Sequence, residues 1–152
     1  MAYTSADARQ QILDTLATAI EELAVALAAL GEAYEHLDEQ TAETLEEQLF
    51  RPIQLAYGRA RRTHGEFAER HDLPRRTFEP AVPGAPSHGT RGFLDSAVEH
   101  VSRADTTLAT LQDSMLPIDV GDEQLRAGLE DVRTLIGGLA PRARQLVRTL
   151  GR

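Results

Sequence analysis

From Ser5 onward, apolar side chains recur at Leu13, Leu16, Ile20, Leu23, Leu27, Leu30, Tyr34 and Leu37, in alternating steps of three and four residues. That spacing puts them on one helical face and predicts a single long amphipathic helix over residues 5–38. Gly31 falls inside the stripe and costs about 1 kcal/mol relative to alanine, yet the pattern continues past it, so the helix is not broken there. A second stripe, Ala42, Leu45, Leu49, Ile53, Ala56, Ala60, His64, Phe67 and His71, predicts a helix over residues 41–72 after a turn at Asp38–Thr41. Its steps fit an eleven-residue period, the signature of a straight or slightly right-handed helix. Pro52 lies inside it, where its ring collides with the Gln48 carbonyl and no N–H remains, so a kink is expected.

The periodicity stops at Leu73. Pro74, Pro80, Pro83 and Pro86 crowd the stretch that follows, which reads as a long loop over residues 74–91. Leu94, Ala97, Val101, Ala104, Leu108, Leu111 and Met115 then predict a helix over residues 92–115, ended by Pro117. A fourth helix over residues 122–150 carries Leu125, Leu129, Val132, Ile136, Leu139, Ala143, Leu146 and Leu150, with Asp122 as its N-cap and a kink at Gly137, Gly138 and Pro141. No segment alternates as a strand would. The expectation is a single all-α domain spanning residues 1–152, an antiparallel up-down-up-down four-helix bundle with a Pro-rich connection between helices 2 and 3.

Two features raise the question of a second chain. At ~1.5 Å per residue the first hairpin would overhang the second by about 10 Å. The run Leu16–Leu30 is also apolar on nearly two faces, showing Ala17, Ala24, Val25 and Ala28 beyond its main stripe. Such a helix must be covered twice, by a central place in the bundle or by a homodimer interface. A fainter signal is an internal echo between Ala33–Leu37 (AYEHL) and Ala97–Val101 (AVEHV), each followed by a Pro-Ile pair, which would fit a duplicated helical hairpin.

Composition narrows the chemistry. The 152 residues contain no cysteine, which excludes disulfide frameworks, thiolate metal sites and cysteine nucleophiles. Every one of the 16 basic residues is arginine, which removes Walker-type, Schiff-base and kinase lysines. Against them stand 24 acids, a net charge of −8, the wrong sign for a general nucleic-acid binder or an anionic membrane. No signal peptide or membrane span is read, and a cytoplasmic bacterial protein is the expected setting.

Nine acids and no arginine lie between residues 21 and 47. Glu32, Glu35 and His36 on one side of the first turn, with Glu43 and Glu46 on the other, could form a divalent-cation site or a docking surface for a basic partner. A ferritin-like di-iron centre is disfavoured, since no Glu-x-x-His occurs and the inward positions near Glu32 and His36 are Leu30, Tyr34 and Leu37. His64 and His71 fall on the buried register of the second helix. If residues whose numbers sum to about 79 face each other across the hairpin, His64 lies near Asp14 and His71 near Ala8. Asp14, His64 and His71 are therefore the candidate ligand-binding residues, through a carboxylate-partnered imidazole. Arginines cluster at Arg59–Arg76 and Arg142–Arg152, partly explained by helix dipoles, and no aromatics are interleaved for base stacking. No catalytic residue, committed metal site or cofactor is assigned. The leading expectation is a non-enzymatic module working through protein–protein contact, as a homodimer or with another protein. A small-ligand or metal-binding bundle using His64 and His71 is the alternative, with an enzyme third.

Overall fold

In the computed structural model, which describes residues 5–84 and 89–150, the first stripe becomes helix α1, Ser5–Tyr34. It ends earlier than the stripe, because the His36 and Leu37 N–H groups turn back onto the Ala33 and Tyr34 carbonyls. Asp38 then caps α2, Glu39–Leu45, accepting at 2.9 Å from both the N–H and the hydroxyl of Thr41. The buried face of α1 is broader than the stripe. Ile12, Ala19, Ala26 and Ala33 are as buried as Leu16, Leu23 and Leu30, while Leu27 is half-buried and Tyr34 is 37% exposed. The reason is that α1 packs against two long helices and so buries more than one stripe.

Helix α2 runs through a π-helical turn, Glu46–Phe50, directly into α3, Arg51–Arg70. The Arg51 N–H reaches back to the Glu46 carbonyl rather than to Glu47, so the disruption expected at Pro52 takes the form of a widened turn just before it. Helix α3 closes in a Schellman motif: Leu73 N–H bonds the Ala68 carbonyl at 2.8 Å and Asp72 N–H the Glu69 carbonyl at 3.3 Å, with Asp72 left-handed at φ 56°.

Residues 73–84 carry neither helix nor strand; we call them the strap. Helix α4, Gly89–Asp113, begins three residues before the expected start at 92; residues 85–88 of the expected loop lie outside the described residues. A short α5, Leu116–Val120, follows and is closed by Gly121 at φ 72°. Asp122 caps α6, Glu123–Ile136, as expected, and α7, Leu139–Leu150, resumes after the break at Gly137–Gly138. Among the described residues there is no strand, and no helix is long and apolar enough to cross a membrane.

The order of the helices in space corrects the expected up-down-up-down path. Helix α1 packs most extensively on α4 and α3 on α6, with α1·α3 and α4·α6 completing a ring. Contacts fix the directions: Arg59 with Asp131 and Arg70 with Asp122 make α3 and α6 antiparallel, Gln112 with Glu130 and Arg133 with Asp105 do the same for α6 and α4. Glu22 with His100, together with the packing of α5 on α1, makes α1 and α4 antiparallel. Every neighbour in the ring is thus antiparallel, but α3 and α4, consecutive in the chain, run the same way across its diagonal. The strap has to return from one end of the helices to the other, which is why the connection is long.

Two further expectations fail. The first hairpin does not overhang: α7 extends α6, and its Leu139, Ala140 and Ala143 share an apolar recess with Leu30, Leu49 and Ile53 from the far end of the first hairpin. The internal echo has no structural counterpart either, since Ala33–Leu37 spans the end of α1 and its turn, whereas Ala97–Val101 lies within α4 with three of its residues in the core.

Candidate functional site

A groove of about 620 Å³ runs between α1 and α3 and is bounded on one side by the strap. Its floor is small: Ala24 and Ala28 from α1 and Gly58 from α3. Leu27, Tyr57 and Phe78 supply larger, half-buried apolar walls, and Gln54 and Arg61 stand at its rim. Arg61 is held over the Tyr57 ring at 5.2 Å from its centroid. The run Leu16–Leu30 is therefore covered on its core sides by the protein's own helices, while Ala24, Leu27 and Ala28 face this open groove.

The strap is pinned at three points. Arg76 forms an ion pair with Glu21 of α1, and its guanidinium lies 5.3 Å from the centroid of Phe78. Arg75 lies against Gly65, where a side chain would meet its Nη2 at 2.5 Å, and approaches Glu69 at 3.7 Å. Phe78 covers His64 edge-on with ring centroids 5.1 Å apart.

His64 is 3% exposed and its Nδ1 has no hydrogen-bond partner. The expected Asp14 to His64 bond is not made; Asp14 accepts from Gln10 Nε2 at 2.9 Å instead. The early end of α1 and the extra residue of the π-turn shift the hairpin register. Ala24 with Gly58 and Leu30 with Ile53 share levels, so paired numbers sum to about 82 and Asp14 lies roughly one turn from His64. Burial disfavours the imidazolium and Arg76 repels it; the attraction of Asp14 does not compensate, and Arg75 adds a smaller repulsion, so the His64 pKa lies below its ordinary value. The imidazole is sealed under Phe78, and among the described residues its Nδ1 has no carboxylate or hydroxyl as a partner.

His71 is not beside Ala8 and does not join His64, which is two helical turns or about 10 Å away. Its Nε2 lies 2.8 Å from Asp122, which also takes two bonds from Arg70, at 2.8 and 3.0 Å, and the Leu125 N–H at 2.8 Å. Burial alone would raise the Asp122 carboxyl, but Arg70, the Leu125 N–H and His71 outweigh it and hold its pKa below the usual value. This cluster joins the end of α3 to the start of α6. All of Asp122's acceptor capacity is used inside the chain.

At the other end of the hairpin, Glu35, His36 and Glu43 are exposed, and Glu32 and Glu46 are half-buried. The expected cation site is not assembled: no group of three or more His, Asp or Glu among the described residues converges closely enough to hold a metal ion. None of Glu32, Glu35, Glu43 or Glu46 enters an ion pair among the described residues, leaving a purely acidic surface.

Sequence reasoning missed the strap's part in the site. Phe78 is the only Phe, Tyr or Trp between Phe67 and Phe93, and an isolated aromatic in a proline-rich stretch was the available signal for a docked segment. It also missed the Glu22–His100 contact at 2.5 Å, which no spacing rule reveals until α1 and α4 are known to be neighbours. Neither protein-family models, nor curated proteins, nor solved structures give a match to this chain.

Proposed function

We propose that the chain is a non-enzymatic four-helix-bundle module that acts through protein–protein contact, with the α1–α3 groove as its contact face. The observation that carries the reading is the groove itself: an open apolar channel of about 620 Å³ with a floor of alanine and glycine, wide enough for side chains of another helix to enter. The chemistry around it supports binding over catalysis, since His64 is sealed beneath Phe78 and Asp14 is turned to Gln10. A small ligand at His64, the alternative reading, has one observation in its favour, the unpartnered Nδ1.

Photo-crosslinking tests the proposal. A photoreactive phenylalanine analogue at Gln54, on the rim of the groove, should give a discrete protein adduct in cells, whereas the same group at Glu130 on α6 should not. Adducts of equal yield at both positions, or none at Gln54, would overturn it. A small-molecule adduct at Gln54 without a protein adduct would favour the ligand reading.

A further inference from the structure

The partner can be named from three properties of the groove. The first is its glycines. Gly31 and Gly58 lie inside helices, where glycine is less stable than alanine by about 0.5–1 kcal/mol, and a Cβ at either would meet nothing within 4 Å. No contact among the described residues requires them. Gly128 is the contrast, because there a Cβ would strike Thr63 and the glycine is needed for α3 to approach α6. Gly58 lines the groove, and Gly31 continues the same face of α1 one turn beyond Ala28. Both leave room for a backbone that comes from outside.

The second property is charge. Glu32 and Glu35, at the turn end of this face, have no basic partner among the described residues. Arg61 and Arg62, at its other end, have no acidic one. The face that holds the groove and Gly31 thus carries opposite signs at its two ends.

The third is spacing. By the hairpin register, Arg61 shares a level with Glu21, which also receives the strap's Arg76. Glu21 lies seven residues before Ala28 and Glu35 seven residues after it, so the positive and negative ends stand about 10 Å either side of Ala28, the residue at the turn-side end of the groove. A two-fold axis through that midpoint carries each end onto the other.

We infer that the occupant of the groove is a second copy of this chain, packed with the two α1 helices antiparallel about Ala28, so that each groove receives the Gly31 end of the other copy's α1 and Glu35 of each copy faces Arg61 of the other. The inference rests on the groove being a contact face, and it adds the partner, the orientation and the charge pair. A two-fold arrangement makes each such pair twice, and both pairs are lost by one substitution.

The test begins with light-scattering mass of the purified protein across micromolar concentrations, where a dimer is expected. Glu35→Arg and Arg61→Glu should each weaken association by about tenfold, and the double variant should recover most of that loss. Both positions are exposed, and circular dichroism checks that each variant folds. Gly58→Gln adds an opposed readout: filling the groove should abolish the dimer while raising the helix's own stability. A monomer throughout this range, or a double charge swap no better than its single parents, would overturn the inference. If the Gln54 crosslinker then captures a different polypeptide in cells, the contact-face reading stands and only the identity of the partner fails; no adduct at all removes both.

Discussion

Replacing Gly128 with alanine should destabilise this protein, although the same change in an isolated helix would stabilise it. Gly128 lies within α6, where glycine costs about 0.5–1 kcal/mol relative to alanine. A Cβ at that position would stand 3.0 Å from Thr63 Cβ, 2.7 Å from Thr63 Cγ2 and closer still to Oγ1. Thr63 cannot swing aside. It is 2% exposed, its hydroxyl donates to the Arg59 carbonyl at 2.8 Å and the same oxygen accepts from Arg59 Nη1 at 3.2 Å. Helices α3 and α6 must therefore separate, straining the Arg59–Asp131 pair beside the contact. Overpacking of this kind costs about 1–3 kcal/mol, so after the gain in propensity a net loss of about 1–2 kcal/mol is expected. In a chain of this size that lowers Tm by roughly 2–8 °C. Urea unfolding followed by circular dichroism should show a lower midpoint at unchanged slope. In a Thr63→Ala background the offending Oγ1 and Cγ2 are absent, and the same glycine substitution should lose at least about 1 kcal/mol less. A Gly128→Ala protein more stable than its parent, or an identical loss in both backgrounds, would refute the close approach of α3 and α6.

Three further outcomes are expected. The His64 pKa lies below 6.5, so the unfolded chain takes up the proton first; stability is complete above 6.5 and is lost as pH falls from there toward the folded value. An NMR titration of the imidazole reads this directly, Arg76→Ala should move the value upward, and a pKa above 6.5 in the parent would contradict the sealed, neutral imidazole. The Asp122 pKa lies below 3.8, so its stabilisation is present above 3.8 and fades as pH drops through the folded value. Asp122→Ala removes the α6 cap and the partner of Arg70 and His71, and should lower stability by about 2 kcal/mol, with no measurable loss counting against the cluster. Asp72→Gly relieves a left-handed, non-glycine residue at φ 56° and should raise stability by about 0.5–1 kcal/mol in the same urea assay; a decrease would show that the Asp72 side chain supports the motif.

The helices were legible because each carries its own periodicity, and the Asp122 cap because an acid precedes an apolar run after a turn. The ring order was not, since short turns fix only the partners within each hairpin. Whether α3 or α1 meets α4 depends on the course of the strap, whose prolines and single phenylalanine have no period to read. The candidate site suffered from a smaller error. A register about three residues out was enough to bring Asp14 to His64 on paper and leave them a turn apart in the fold, and of its two sources, the early end of α1 is hidden by a stripe that runs on to Leu37, while the extra residue of the π-turn has no sequence signature beyond Pro52 itself. His71 was placed on the correct face but given the wrong neighbour, because its partner belongs to a helix 51 positions further along.

The diagonal step from α3 to α4 has a consequence for how fast this chain reaches its native state. Its two largest helix interfaces, α1 on α4 and α3 on α6, join segments that are far apart in sequence; Glu22 and His100 are 78 residues apart, and Arg59 and Asp131 are 72 apart. Helical proteins fold quickly when contacts are local, and here the two hairpins can form locally but bury little until the strap has carried one back along the other. Closing so long a loop adds only modest entropy, about 0.6 kcal/mol for each doubling of length, so the equilibrium stability is hardly affected while the refolding rate is. Refolding should therefore be slow for an all-helical chain, and substitutions where α1 meets α4, at Leu30 or Val101, should act on the docking of preformed hairpins.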